Sequence, residues 1–195
     1  MGRYTKIISD MWGDREFDEE LDIDGKLFYL YLLTNDAGNM AGFYRINPKK
    51  ASIETGIGID RINELLESDI GLWEYDPKTR QIFIKSYMKY NDVCNTKQYK
   101  GVATQIKPLS FCSLFVDFLA ALIKATKGAA LPYIPAQTLK LTNAVCEKII
   151  SEEATTAKEA KQKARAVTVS NYINTTLQSI TDTDTNQYST VQEYR

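Results

Sequence analysis

The spacing of apolar and polar positions marks a run of alternating elements in the first half of the chain and helices in the second. Within residues 22–33, Leu27-Phe28-Tyr29-Leu30-Tyr31-Leu32-Leu33 is apolar on nearly every face, the pattern of a helix in the middle of a domain. Asp22 or Asp24 suits its N-cap, and Asn35-Asp36-Ala37-Gly38-Asn39 is turn chemistry that ends it. A short apolar strand follows at 42–46. A second helix is expected at 48–55, with Pro48 in its first turn and Gly56 as a left-handed cap. A third, at 59–70, carries Ile59, Ile62, Leu65, Leu66 and Ile70 on one stripe and Asp60, Arg61, Asn63, Glu64 and Glu67 on the other. Residues 72–75 and 81–85 read as strands joined by the turn Asp76-Pro77-Lys78-Thr79-Arg80. Helix, strand, helix, helix, hairpin is the order of a winged helix-turn-helix. Its expected core includes Leu27, Leu30, Ile62, Leu66, Trp73 and Ile84. Ahead of it, residues 3–8 suit a strand or extended arm, and 14–21 a short helix with Phe17 and Leu21 one turn apart.

Residues 87–104 are polar and read as a connector. From Pro108, the residues Phe111, Leu114, Phe115, Phe118, Leu119, Leu122 and Ile123 keep a three-four spacing up to the stop at Gly128. So many large apolar groups must be buried, either on the preceding domain or on another copy. Residues 129–135 form a Pro-bounded loop. Residues 139–150 suit a weaker helix with Leu141, Val145 and Ile149 on one face, and 151–166 are Ala/Lys/Glu-rich. From Thr168 onward, seven Thr and three Ser in 28 residues leave few core formers, the composition of a flexible tail. The expected class is therefore α+β: a winged helix-turn-helix domain at 1–92, a connector at 93–106, a mainly α-helical extension at 107–167 and a flexible tail at 168–195.

Charge changes this picture. Residues 1–92 hold twelve Lys/Arg against seventeen Asp/Glu, a net −5; residues 93–195 hold twelve against eight, a net +4. The module whose architecture suits DNA is thus the acidic half. The chain contains no His, so the commonest general base and metal ligand are missing. Cys94, Cys112 and Cys146 are scattered and odd in number, which fits a reducing cytoplasm and neither a metal site nor a disulfide framework. The glycines match no phosphate-cradling pattern. No signal peptide is expected, and the longest apolar stretch, 111–123, is shorter than the roughly 20 residues that span a bilayer. These features point away from an enzyme, a cofactor, a metal centre and a membrane partner.

The remaining candidate chemistry is nucleic-acid binding. Lys49 and Lys50 open the second helix, Arg61 and Asn63 stand on the third, and Lys78 and Arg80 lie in the hairpin turn. Lys and Arg neutralise phosphates, and Arg and Asn can also read base edges. Asp60, Glu64 and Glu67 surround Arg61 and repel a phosphate backbone, so any DNA binding is expected to be electrostatic and dominated by the hairpin and the basic C-terminal half, while the Lys49-Lys50 pair can also hold backbone without reading sequence. The aromatic set Trp12, Phe17, Phe28, Tyr29, Tyr31, Phe43, Tyr44, Trp73, Tyr75 and Phe83 is expected in the core.

Several stretches together resemble a known family. They are Met11-Trp12-Gly13-Asp14 with Phe17, the run from Asp24 to Thr34, Asn39-Met40-Ala41-Gly42-Phe43-Tyr44-Arg45-Ile46, Trp73-Glu74-Tyr75-Asp76 and Lys89-Tyr90-Asn91. Across residues 3–105 the pattern resembles the N-terminal winged-helix domain of phage replisome organisers, similar to DnaD-type primosome proteins of low-GC Gram-positive bacteria. Beyond residue 130 the chain departs from the DnaD-type pattern. The resemblance implies a non-enzymatic, cytoplasmic initiator in a bacterial host. It would bind or remodel origin DNA, help recruit the replicative helicase or its loader, and form homo-oligomers. In the primosome relatives the winged helix serves largely for self-association. A winged-helix transcriptional regulator and an interaction adaptor that does not bind DNA are the alternatives. A regulator should recognise inverted half-sites about one helical turn apart.

Overall fold

The computed structural model describes residues 5–91 and 93–192, from 181 onward by their backbone. The chain divides into two compact units, Met1–Leu114 and Phe115–Arg195.

The first unit is α+β. After a 3-10 turn at Ser9–Gly13 come α1 (Arg15–Asp18), α2 (Ile23–Thr34), β1 (Phe43–Arg45), α3 (Pro48–Thr55), α4 (Ile59–Glu67), β2 (Trp73–Asp76), β3 (Gln81–Ile84), α5 (Tyr87–Tyr90) and α6 (Thr96–Ile106). Local chemistry sets the helix boundaries. The Asp22 carboxylate accepts from the Gly25 N–H at 2.8 Å and caps α2. Asn47 caps α3 through the amides of Lys49 and Lys50, and Gly56 ends it at φ +77°. The three strands form one antiparallel sheet in the order β1-β3-β2, with Phe43 opposite Phe83 and Trp73 opposite Ile84.

Helices α2, α3 and α4 pack with the sheet around Phe28, Tyr29, Leu32, Ile62, Leu66, Trp73, Ile82 and Ile84. The Trp73 ring stacks on Tyr29 and meets Phe28 edge-on, and its indole N–H donates to the Leu65 carbonyl at 3.1 Å. Two residues expected in this core stand outside it. Leu27 is 42% exposed and Leu30 only half-buried, while Phe28, Tyr29, Leu32 and Leu33 face inward. A helix apolar on every face has no amphipathic signal to orient it; packing against α3, α4 and the sheet sets its rotation. Trp12, expected in the core, is 56% exposed and lies edge-on against buried Phe17.

Phe43 and Phe83 lie outside that cluster yet are buried, in edge-to-face contact. Side chains alternate across a strand, so these two occupy the opposite face of the sheet from Ile82 and Ile84. The stretch tied to this side of the unit is the expected connector. Residues 93–106 are largely helical as α6, which buries Val102, Ala103 and Ile106. The Gln105 side chain accepts from the Met40 amide at 3.0 Å, and the Gln81 side chain donates to the Ser110 carbonyl at 2.7 Å. The polar majority of this segment concealed its three inward residues.

The second unit is helical: α7 (Leu114–Thr126), a 3-10 turn at Leu131–Tyr133, α8 (Ala136–Ser151) and α9 (Ala157–Gln192). Helix α7 begins at Leu114, leaving Phe111 outside it. Its stripe from Phe115 to Ile123 is buried within the single chain, so it is no seam between copies. Asp117, the one acid of that stretch, is ion-paired with Arg165 of α9. The buried line of α8 is Leu139, Thr142 and Cys146, while Leu141 is 39% exposed, a rotation from the expected Leu141-Val145-Ile149 face. The expected tail at 168–195 is helical as far as Gln192, and residues 193–195 lie outside the described residues. Ala166, Val169, Ile173 and Thr176 form its buried line. Thr142 and Thr176 satisfy their hydroxyls on the carbonyls of Thr138 and Tyr172, and Ser170 donates to Asn143. Thr142, Ser170 and Thr176 are therefore buried beside Leu139, Val169 and Ile173 with their hydroxyls hydrogen-bonded.

Candidate nucleic-acid interface

The hairpin turn and the β1–α3 corner meet at one place. Arg45 pairs with Gln81 across the sheet, and the Ile46 amide donates to the Arg80 carbonyl at 2.9 Å, which closes the hairpin root. The turn is held by Asp76, whose carboxylate accepts from the Thr79 amide at 2.9 Å and from the Thr79 hydroxyl. Between them lies an open cleft of about 530 Å³ lined by Arg45, Ile46, Asn47, Lys78, Thr79 and Arg80. Three cations and no carboxylate line it. Arg45, Lys78 and Arg80 are all exposed.

Arg80 holds a left-handed backbone, φ +54°. Glycine takes that conformation freely, whereas for other L-residues it costs on the order of 1–2 kcal/mol. The cation therefore stands at a strained position beside the cleft. Lys49 is exposed on the first turn of α3, just beyond Asn47.

The other sequence-derived candidates are placed differently. Lys50 is engaged by Asp36 at 2.6 Å and Glu54 at 3.6 Å, and the Asp36 hydrogen bond raises its pKa. Arg61 is held between Asp22 at 2.6 Å and Glu64 at 3.0 Å, and hydrogen bonding to Glu64 pushes its pKa up. Asp22 in turn is held below the usual carboxylate range, first by the Gly25 amide and then by Arg61. Asn63 is exposed, but Asp60, Glu64 and Glu67 are exposed on the same helix. The structure thus gathers Lys78 and Arg80 with Arg45, leaves Lys49 exposed two residues beyond the cleft-lining Asn47, and leaves Lys50, Arg61 and Asn63 in acidic surroundings. Arg45 was missed because an isolated Arg at the end of an apolar strand carries no motif. Only strand pairing brings it to the hairpin turn.

Among the described residues no three His, Cys, Asp or Glu side chains gather as metal ligands. Burial pushes the Cys146 thiol up to about 11 and also raises that of Cys112, away from the reactive thiolate. No helix among the described residues is long and apolar enough to cross a membrane. No protein-family model matches the chain, and no curated protein or solved structure matches it significantly.

Proposed function

We propose that this protein is a DNA-replication initiation protein of the replisome-organiser kind. In this reading its first unit is a winged helix that binds origin DNA through the hairpin and helps recruit the replicative helicase or its loader. The observation that carries DNA binding is the acid-free cleft formed by Arg45, Asn47, Lys78, Thr79 and Arg80. The assignment to replication rests on the resemblance of residues 3–105 to phage replisome organisers. A regulator that reads bases through its third helix is disfavoured, because Arg61 is occupied by Asp22 and Glu64 and its helix is lined with carboxylates.

The test pairs Lys78→Gln with Arg80→Gly. Glycine relieves the left-handed strain, so the double variant should fold at least as well as the wild type. Two phosphate contacts disappear, and the slope of log binding constant against log salt should flatten by about two units on any duplex sequence. Fluorescence anisotropy over a salt series measures this. An unchanged slope would remove the hairpin from the interface.

Self-association is proposed through α2. Its outward row is Ile23, 84% exposed, Leu27, 42% exposed, and half-buried Leu30, an apolar strip on the face opposite the core. Leu27→Lys should leave the thermal melt close to wild type and shift sedimentation toward the monomer. A wild type that is monomeric at every concentration reached would defeat this part of the proposal.

A further inference from the structure

The stretch 93–116 contains no Asp or Glu, and within it α6 presents a row of lysines. At 100° per residue, Lys97, Lys100, Thr104 and Lys107 fall within about a quarter-turn of one another, Lys107 standing one residue past the helix end. All four are exposed. Two independent contacts fix the rotation of the helix. Gln105 holds the Met40 amide, and a Cβ on Gly101 would come within 2.8 Å of the Met40 sulfur, so these two positions lie against the loop before β1. Val102, Ala103 and Ile106 point inward. The lysine row is what remains outside.

This row leads to the cleft. Lys107 is three residues before Ser110, a separation of at most about 11 Å. The Ser110 hydroxyl accepts from the Arg45 guanidinium at 3.1 Å, and the Ser110 carbonyl accepts from Gln81. From Lys97 to Lys107 the helix adds about 15 Å. The cations of α6 and that of Arg45, which lines the cleft with Lys78 and Arg80, therefore lie within the length of about one duplex turn, roughly 34 Å.

We infer, on the footing of the DNA-binding reading above, that α6 and the hairpin form one continuous surface for the phosphate backbone of duplex DNA, with the lysines of α6 as its second half. The chemistry favours a duplex over a single strand. Single-strand binders combine basic grooves with aromatic rings on which bases stack. Neither the residues lining the cleft nor the four outward positions of α6 include an aromatic ring. The contacts available are lysine and arginine to phosphate, which position a duplex without reading its sequence. Helix α4, with its carboxylates, stays out of the groove.

The full-length triple variant Lys97→Gln, Lys100→Gln, Lys107→Gln tests this directly. All three side chains are exposed, and Gln is a good helix former, so circular dichroism and the thermal melt should match the wild type. Anisotropy on two duplexes of unrelated sequence, each about two helical turns long, should show the salt slope reduced by about two to three units on both. A wild-type slope in the triple variant, together with a reduced slope in the Lys78/Arg80 variant, would overturn the role of α6 while leaving the DNA-binding reading standing. A wild type that binds no duplex at low salt would overturn both. Markedly tighter binding to a single strand of the same length, by about tenfold or more, would overturn the duplex assignment.

Discussion

Phe28→Ala should destabilise the protein by about 3–5 kcal/mol, whereas Leu27→Ala, one position earlier on the same helix, should cost less than about 1 kcal/mol. Phe28 is fully buried, with Trp73 edge-on at 5.7 Å and Tyr31 stacked at 6.4 Å. Its removal leaves a cavity among buried residues of the core, beside the Trp73 ring of the sheet. Leu27 is on the outward side of the helix and partly exposed, so it gives up less when truncated. The comparison isolates the rotation of α2, because both substitutions sit in the helix interior and share its backbone. Urea denaturation of the two variants measures it, and equal losses would mean that α2 does not turn Phe28 inward and Leu27 outward.

Gly42→Ala should cost about 2–5 kcal/mol, although it adds only one methyl group. Gly42 sits at φ +62°, and its carbonyl accepts from the Ile84 amide at 2.9 Å, at the point where the chain enters β1. That backbone costs a residue with a side chain on the order of 1–2 kcal/mol. The new Cβ would also lie 2.5 Å from both Cβ and Cγ of Tyr87, atoms near the backbone that cannot swing away. Overpacking of this kind adds roughly 1–3 kcal/mol. Gly56 is the control: it too is left-handed, at φ +77°, but nothing lies within 4 Å of the point a Cβ would occupy there. Gly56→Ala should show the backbone cost alone. Thermal melts of the two variants separate the two effects, and an equal loss in both would mean that the Tyr87 contact is relaxed at no cost.

Much of the first unit could be read from the residues. The bounds of α3 follow from Pro48 and Gly56, because helix-end chemistry is local and needs no tertiary partner. Helix α4 buries Ile62, Leu65 and Leu66 of its expected stripe, but it ends at Glu67, with Ile59 exposed and Ile70 beyond the helix end. The hairpin follows from a turn containing Pro77 and closed by Asp76. The α+β class and the three-stranded sheet rest on such local signals.

The second half was harder to read, for a physical reason. Helices α6 and α9 bury short lines such as Val102, Ala103 and Ile106, or Ala166, Val169 and Ile173, among many polar neighbours. Composition averages over a whole segment, while burial depends on one face of the helix. The three-four spacing of residues 166, 169, 173 and 176 was present in the sequence and would have marked α9 as a packed helix. The Thr and Ser content hid it.

The candidate interface divides in the same way. The cations of the hairpin turn and the acidic character of α4 were legible from the residues alone, since both are properties of contiguous stretches. Folding was needed to join Arg45 to Lys78 and Arg80, to bring Arg61 and Lys50 against carboxylates 39 and 14 residues away in the chain, and to turn the lysines of α6 outward. Charge pairing and surface continuity depend on distances in space, and strand pairing and helix rotation set those distances. A linear pattern fixes which groups a segment carries; packing fixes which of them are drawn together and which face they share.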